Sequence, residues 1–210
     1  MSDDEQIAQL KDWWQRNGKP LVVGGVLALV VVFGWQAWQK HQVTQSEQAS
    51  ALYQQLMVTV LSQTEPDMSE VVRLAKALKD GYSGTEYAQY GQLFVAKVAV
   101  EDNRLDDAAT ELQVVVDKPA STVLGELARQ RLARVLAAQN KAEDALVLLD
   151  VTVAPSFLAS REELRGDILR QLGRNAEAYA AYDKARLALP PEAALGTLQL
   201  KLDDLTQGDA

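Results

Sequence analysis

The sequence predicts an all-α protein: one N-terminal transmembrane helix, then a solenoid of helical repeats that ends in a capping helix. Three observations predict this fold class. Residues 20–38 form an apolar run without charge. A short sequence pattern occurs three times further along the chain, at spacings of 37 and 33 residues. Apolar residues in the later part recur at helical spacing. The one strand-like stretch is "LQVVVD" from Leu112, which lies where the repeat requires a helix.

The apolar run from Pro20 to Trp38 is long enough to cross a bilayer. As a helix it extends about 28 Å, against a hydrocarbon thickness of roughly 30 Å. It ends in "GWQAW" rather than in the small-residue pattern of a signal cleavage site, and it lacks the polar stripe of a buried globular helix. Trp13, Trp14, Trp35 and Trp38 flank it as interfacial aromatic residues do. The sequence therefore predicts a signal anchor that the protein keeps.

Basic residues predict the orientation of this anchor. Three precede it and one follows closely: Lys11, Arg16 and Lys19 before the run, and Lys40 after it. Lysine and arginine near a span stay on the cytoplasmic side, so we expect a cytoplasmic tail at 1–19, the span at 20–38 and a translocated domain at 39–210. Within the span, Gly24 and Ala28 are candidates for contact with another membrane helix, because small residues let helices approach closely.

Composition narrows the function of the translocated domain. After His41 the chain carries 17 Lys plus Arg against 25 Asp plus Glu, and the whole chain has a net charge of −8. Nucleic acids and anionic lipids both require a basic surface, so the expected ligand is a protein. The chain has no cysteine, which excludes disulfides, thiol catalysis and cysteine metal sites.

The recurring phrase indicates a helix–turn–helix repeat. It reads "NRLDDAATEL" from Asn103, "NKAEDALVLL" from Asn140 and "GRNAEAYAAY" from Gly173. Each copy starts with a turn-forming residue and a base, continues through acidic residues that suit a helix N-terminus, and reaches an alanine. The period of 33 to 37 residues predicts three units at approximately 89–121, 126–158 and 159–192.

The third unit resembles the tetratricopeptide repeat at fixed offsets. The matching residues are Gly166 at a close helix crossing, Leu169, Gly173 at the turn, Ala178, Tyr182, Ala185 and the closing Pro190. Glu162 and Arg165 occupy places that the repeat fills with apolar residues. The earlier units match less fully, at Ala133, Leu136, Asn140, Ala145 and Leu149, and at Ala96, Ala99, Asn103, Ala108 and Leu112.

The segments that flank the three units are also predicted to be helical. Residues 43–62 and 69–79 form a possible fourth helix pair, interrupted by "TEPD". Residues 191–206 read as the amphipathic cap that an open stack requires, and the last residues, from Gln207, are expected to fray.

Candidate catalytic residues are few. The single His41 lies beside the span and supports neither a hydrolytic triad nor a zinc site. No phosphate-binding loop is present. Three acidic pairs are interpreted as solvated helix surfaces rather than as acid and base: Asp106 with Asp107, Glu162 with Glu163, and Asp203 with Asp204. We expect no enzyme, cofactor or metal, and the alternative is a glycan-cleaving enzyme that uses one of these pairs.

Stacked helix pairs bind partners on the surface lined by their first helices. The repeat offsets place eight residues there: Tyr90, Leu93, Lys97, Gln130, Arg134, Glu163, Asp167 and Arg170. The lysine and asparagine set with which some tetratricopeptide domains bind acidic C-termini is absent from these offsets. We therefore expect a groove of mixed polarity with one apolar end.

Over nearly its full length the chain resembles the YfgM family of bacterial inner-membrane proteins. The resemblance lies in "WWQRNGKPL", the glycine-bearing span, "GWQAWQKHQ" from Gly34, and Ala49, Ala51 and Tyr53 at the start of the helical domain. It implies an ancillary subunit of the SecYEG translocon, anchored once, with a periplasmic tetratricopeptide domain. It also implies association with the periplasmic chaperone PpiD and assistance to newly exported proteins. The alternative is an adaptor for another envelope machine, such as outer-membrane protein assembly or cell division.

Overall fold

The computed structural model describes residues 3–61, 67–190, 193 and 196–207. Within these ranges the chain forms nine helices and no strand, so the all-α prediction is confirmed. The predicted helix over "LQVVVD" is confirmed too, because this stretch belongs to α4. The helices are α1 (Asp3–Leu61), α2 (Met68–Gly81), α3 (Glu86–Glu101), α4 (Leu105–Asp117), α5 (Thr122–Ala138), α6 (Ala142–Leu149), α7 (Pro155–Gln171), α8 (Asn175–Ala188) and α9 (Thr197–Gln207).

The chain divides into two compact units, Met1–Gln48 and Ala49–Ala210. The first unit consists of the greater part of α1. Its large apolar side chains between Leu21 and Phe33 are roughly half exposed or more, and none of the most apolar stretch is buried against protein. A continuous apolar surface of this kind is costly in water. Within the described residues, α1 is the one helix long and apolar enough to cross a membrane.

The second unit is a stack of helix pairs. The pairs are α3 with α4, α5 with α6 and α7 with α8, and they begin three or four residues before the predicted units. From α2 to α9 each helix contacts the next one. The first helices of the pairs also contact each other in turn, α3 with α5 and α5 with α7. This nearest-neighbour pattern is that of a helical-repeat solenoid.

The turns inside the three pairs share one backbone geometry. Asn103, Asn140 and Gly173 have positive φ angles of 57°, 62° and 72°, which asparagine and glycine adopt most readily. The next residue then donates its backbone N–H to the carbonyl five positions back, a Schellman cap. The three bonds are Arg104 to Ala99 at 2.7 Å, Lys141 to Leu136 at 2.9 Å and Arg174 to Leu169 at 2.9 Å.

The residues after each turn also behave as the sequence predicts. Each second helix carries acidic residues in its first turn, where the helix dipole stabilises them. The alanines of the recurring phrase, Ala108, Ala145 and Ala178, are completely buried. Gly166 makes the predicted close crossing, because a Cβ atom there would lie 2.3 Å from Cε1 of the buried Tyr182.

A second close crossing, which the sequence pattern did not reveal, joins α2 to α3. A Cβ atom on Gly91 would lie 2.5 Å from the backbone oxygen of Ala75. In the same region Ala49 and Leu56, at the end of α1, form a buried cluster with α2 residues such as Leu74. The segment before α3 therefore packs as part of the stack. The predicted interruption "TEPD" lies outside the described residues except for Asp67, which caps α2 by accepting from the backbone N–H groups of Ser69 and Glu70.

The middle pair departs from its neighbours because α6 has only eight residues. The chain after it has no regular secondary structure until Pro155 starts α7, where a proline suits the first helical position. Arg161 of α7 donates hydrogen bonds to the backbone carbonyl groups of Leu149 and Val151. Its guanidinium also forms a buried ion pair with Glu126 of α5, in which the two side chains are 3% and 7% exposed.

The C-terminal helix α9 confirms the predicted cap. Leu198, Leu202 and Leu205 turn inward and join the buried cluster of α7 and α8. The opposite surface is polar apart from Leu200. The expected fraying of the final residues lies outside the described part of the chain beyond Gln207.

Candidate protein-binding groove

An apolar groove lies between α3 and α5, with α4 contributing to its lining. Its volume is about 400 Å³, within the roughly 300–1,000 Å³ of ligand pockets. Carbon atoms form most of its surface, and charged groups stand at its rim. The lining residues are Leu93, Ala96, Lys97, Val100, Glu101, Leu105, Leu112, Arg131, Arg134, Val135 and Ala138.

The charges on the two walls differ. On α3, the Lys97 ammonium lies 2.7 Å from the Glu101 carboxylate, so that wall is neutral as a pair. On α5, Arg134 is exposed, and among the described residues it donates only to the backbone oxygen of Gln130, at 3.5 Å. Arg131 has no hydrogen bond or ion pair within the described residues. Burial, and then the nearby Arg134 guanidinium, lower the pKa of Arg131 below its ordinary value. The α5 wall is therefore positive and incompletely solvated.

The three residues predicted from the first pair lie near this groove in different roles. Leu93 is buried and lines it, and Lys97 stands at its rim. Tyr90 packs instead into an aromatic cluster, with its ring centroid 5.1 Å from that of Tyr53 and 6.2 Å from that of Tyr87. Tyr90 therefore supports the junction of α3 with the end of α1.

The two residues predicted from the second pair lie in different places. Arg134 reaches the groove. Gln130 is only 7% exposed and donates to Oε1 of Glu126 and to Oγ of Ser160, both at 3.0 Å. Gln130 thus links α5 to α7 through a hydrogen bond.

The three residues predicted from the third pair form ion pairs with α9. Lys201 lies 2.8 Å from Glu163 and 2.6 Å from Asp167, and Arg170 pairs with Asp204. Asp167 also accepts from the Tyr182 hydroxyl at 2.9 Å. Burial and this hydrogen bond raise the pKa of Tyr182 well above its ordinary value. For Lys201, burial works to lower the pKa, but the hydrogen bonds to Asp167 and Glu163 outweigh it and raise the pKa.

The structure therefore gathers Leu93, Lys97 and Arg134 in one groove and places the other five predicted residues elsewhere. It adds Arg131, which the prediction omitted. The available signal was its spacing, because Arg131 stands three residues before Arg134 and shares its helix face. No sequence signal indicated that α9 would pair with these residues of α7, since that contact depends on where the cap packs.

Most members of the acidic pairs form polar contacts with other side chains. Asp107 pairs with Arg104 at 2.7 Å, and Asp106 accepts from Gln139. Asp203 accepts from Gln199 at 2.8 Å. One carboxylate oxygen of Glu162 is buried without a hydrogen-bond partner. In the described ranges no three or more His, Cys, Asp or Glu residues come together as a possible metal site.

Comparison with known proteins gives a consistent result. Residues 11–207 match the tetratricopeptide repeat-like domain family. A protein of Haemophilus influenzae, named ancillary SecYEG translocon subunit, is 31% identical over 89% of this chain and 89% of its own length. This chain belongs to the ancillary SecYEG translocon subunit family. The resemblance noted from the sequence is thereby confirmed.

Two further relatives in this family carry the same name. The Escherichia coli protein is 29% identical over 98% of this chain and 97% of its own. The Neisseria gonorrhoeae protein is 27% identical over 98% of both chains. These alignments include the apolar N-terminal helix as well as the repeats. No solved structure matches the chain.

Proposed function

We propose that this chain is a non-enzymatic, membrane-anchored subunit that associates with the SecYEG translocon and presents its repeat domain on the periplasmic side. The observation that carries this proposal is the near-complete alignment, over 98% of the chain, with a relative named for that association. The architecture supports it, because a helical-repeat domain offers an extended surface for proteins.

The proposed topology rests on the charges beside the span. Lys11, Arg16 and Lys19 before it, against Lys40 after it, favour a cytoplasmic N-terminus in the inner membrane. In the span, Gly24 has no neighbouring side chain within reach of an added Cβ. We propose that the Gly24 and Ala28 surface packs against a membrane helix of the translocon.

The finer role concerns proteins that have just crossed the membrane. The anchor would hold the repeat domain beside the channel exit, where effective concentration makes weak binding significant. The resemblance implies PpiD as a periplasmic partner and exported polypeptides as clients. Both belong to the proposal, and a copurification experiment tests them together with the translocon association.

That experiment purifies the tagged full-length protein from its own membranes in a gentle detergent and identifies its partners by mass spectrometry. The control replaces residues 1–41 with an unrelated single-span anchor. We expect translocon subunits and PpiD to be enriched with the natural anchor, and the translocon subunits to be lost with the replacement. Enrichment of an outer-membrane assembly or cell-division complex instead would contradict the proposal and favour the alternative adaptor.

The topology has a separate test, because the chain contains no cysteine. Asn17→Cys and Ser46→Cys place single thiols on the two sides of the span, both at exposed positions. In intact spheroplasts a membrane-impermeant maleimide is expected to label Ser46→Cys and not Asn17→Cys. The opposite pattern would contradict a cytoplasmic N-terminus.

A further inference from the structure

Arg131 and Arg134 differ from all other arginines of the chain. Every other arginine lies within 4.0 Å of a carboxylate: Arg16, Arg73, Arg104, Arg129, Arg161, Arg165, Arg170, Arg174 and Arg186. Arg131 and Arg134 have no such partner among the residues that the structure describes, and both line the α3–α5 groove. In a chain with a net charge of −8, two arginines without carboxylate partners at one apolar groove need an explanation.

We propose that the α3–α5 groove binds a segment of a partner protein in which apolar side chains lie beside carboxylates. The apolar side chains occupy the space bounded by Leu93, Val100 and Val135. The carboxylates accept hydrogen bonds from Arg131 and Arg134. This occupant rests on the proposed function, since it names the chemistry of what the repeat domain holds.

The charges on the two walls determine how the ligand is oriented in the groove. Glu101 stands on the α3 wall and already neutralises Lys97 at 2.7 Å, so that wall offers no net positive charge to an acidic ligand. The α5 wall carries the two guanidinium groups without a carboxylate. The carboxylates of the ligand therefore lie along α5, and its apolar side chains point towards α3 and α4.

The strength of the contact follows from burial. Arg131 is half-buried, and its lowered pKa reflects the loss of water and the like charge of Arg134. A carboxylate placed there relieves both effects, and an arginine fork binds a carboxylate through two parallel hydrogen bonds. The acidic surface of the rest of the domain disfavours the same ligand elsewhere, which gives the groove its selectivity.

The ligand chemistry is distinct from that of a basic or purely apolar client. A lysine-rich segment meets two unneutralised arginines, and like charges at a contact oppose binding. An apolar segment without acids leaves the same arginines desolvated and unpaired, which costs free energy. Only a segment that supplies both groups satisfies the groove.

The test measures binding to full-length protein in nanodiscs of zwitterionic lipid. The probe is a fluorescein-labelled ten-residue peptide in which leucine and aspartate alternate, followed by fluorescence anisotropy. Two control peptides replace aspartate with lysine or leucine with serine. We expect the leucine–aspartate peptide to bind the protein, and both controls to bind at least tenfold more weakly.

Variants locate the site. Arg134→Glu reverses an exposed rim charge and is expected to weaken binding of the leucine–aspartate peptide by about tenfold or more, the value of a charge-assisted hydrogen bond. Ala138→Trp fills the groove from an exposed position and is expected to abolish binding. Lys184→Glu makes the same charge change at an exposed position of α8, outside the groove, and is expected to leave binding unchanged.

The proposal would be overturned by no binding of the leucine–aspartate peptide, by equal binding of either control peptide, or by equal loss in Arg134→Glu and Lys184→Glu. Binding that is lost because Arg134→Glu dissociates a dimer would instead assign the groove to a second copy of the chain and overturn the partner segment. Copurification of translocon subunits is measured separately with the same variants. Failure of the groove therefore leaves the proposed translocon association standing, and the reverse also holds.

Discussion

The α3–α5 groove and the surface of α7 occupy equivalent positions in the stack, yet the groove keeps arginines without carboxylate partners and the charged residues of α7 are paired with another helix. In the groove, Arg131 and Arg134 lack carboxylate partners among the described residues. On α7, Glu163, Asp167 and Arg170 all form ion pairs with α9. The difference teaches that a repeat position defines a surface, whereas the next helix along the chain decides whether that surface is available.

The connections between first helices reinforce this difference. Between α5 and α7, Glu126 pairs with Arg161 and Gln130 donates to Ser160. Between α3 and α5 the described residues form no side-chain hydrogen bond. The α5–α7 junction is thus fixed by polar contacts, and the α3–α5 junction leaves space for a ligand.

The largest expected effect comes from breaking the α5–α7 junction at Arg161. Arg161→Ala leaves Glu126 charged and buried, which costs about 3–5 kcal/mol of the free energy of unfolding. Urea denaturation of residues 42–210, followed by circular dichroism, measures it. Arg165→Ala is the control, because its pair with Asp150 at 3.5 Å is largely exposed on the Asp150 side, and it is expected to cost no more than about 1 kcal/mol. Equal losses would contradict the account of this junction.

The next effect concerns the close crossing of α7 with α8. Gly166→Ala places a methyl group 2.3 Å from the Tyr182 ring, and this ring is completely buried. We expect the free energy of unfolding to fall by about 1–3 kcal/mol. Gly81→Ala, at the end of α2, meets no atom within 4 Å. A neutral result for Gly166→Ala would show that the pair is less tightly packed than the structure indicates.

Alkaline pH tests the paired surface of α7 through Tyr182. Its folded pKa is raised above the ordinary value of 10.0 by burial and by the hydrogen bond to Asp167. The folded state therefore keeps a proton that the unfolded state loses, so the stabilisation is complete below about pH 10 and declines as the pH rises further. We expect Tyr182→Phe to reduce this decline in urea denaturation between pH 9 and 11.5. Tyr179→Phe, at an exposed residue, is the matched control, and identical slopes for the two variants would refute the assignment.

The smallest effect is expected for the exposed pair between α7 and α9. The Arg170 and Asp204 side chains are 48% and 55% exposed, so Arg170→Ala is expected to cost less than about 1 kcal/mol. Hydrogen exchange of the α9 amides offers a second readout, with slightly faster exchange in the variant. A loss comparable to that of Arg161→Ala would mean that α9 depends on this pair rather than on Leu198, Leu202 and Leu205.

Much of the fold was predictable because the residues required at the turns and at the close helix contacts recur in all three units. Asn103, Asn140 and Gly173 mark the turns, since few other residues accept positive φ, and the alanines mark the tight contacts. The buried Glu126–Arg161 pair was not predictable, because its two residues are 35 positions apart. The same guanidinium also donates to the backbone carbonyls of Leu149 and Val151, which lie at and after the end of the short α6.

The candidate site was predictable only in part for the same reason. Repeat offsets correctly indicate which residues belong to the first helices, and three of the eight meet in the groove. Gln130 is buried and donates to Ser160, and Glu163 and Asp167 form ion pairs with Lys201. These outcomes depend on pairing between distant side chains, which spacing along one helix does not encode.

The central claim is that the α3–α5 groove is the open binding surface and that ion pairs with α9 occupy the charged residues of α7. Site-specific photocross-linking in living cells tests it most directly, with a photoreactive phenylalanine analogue at Lys97 on the groove rim and, as the matched position, at Glu163, which pairs with α9. Adducts with an exported chain, PpiD or a translocon subunit are identified by mass spectrometry. The account predicts such adducts from Lys97 and none from Glu163; adducts from Glu163 alone would contradict it.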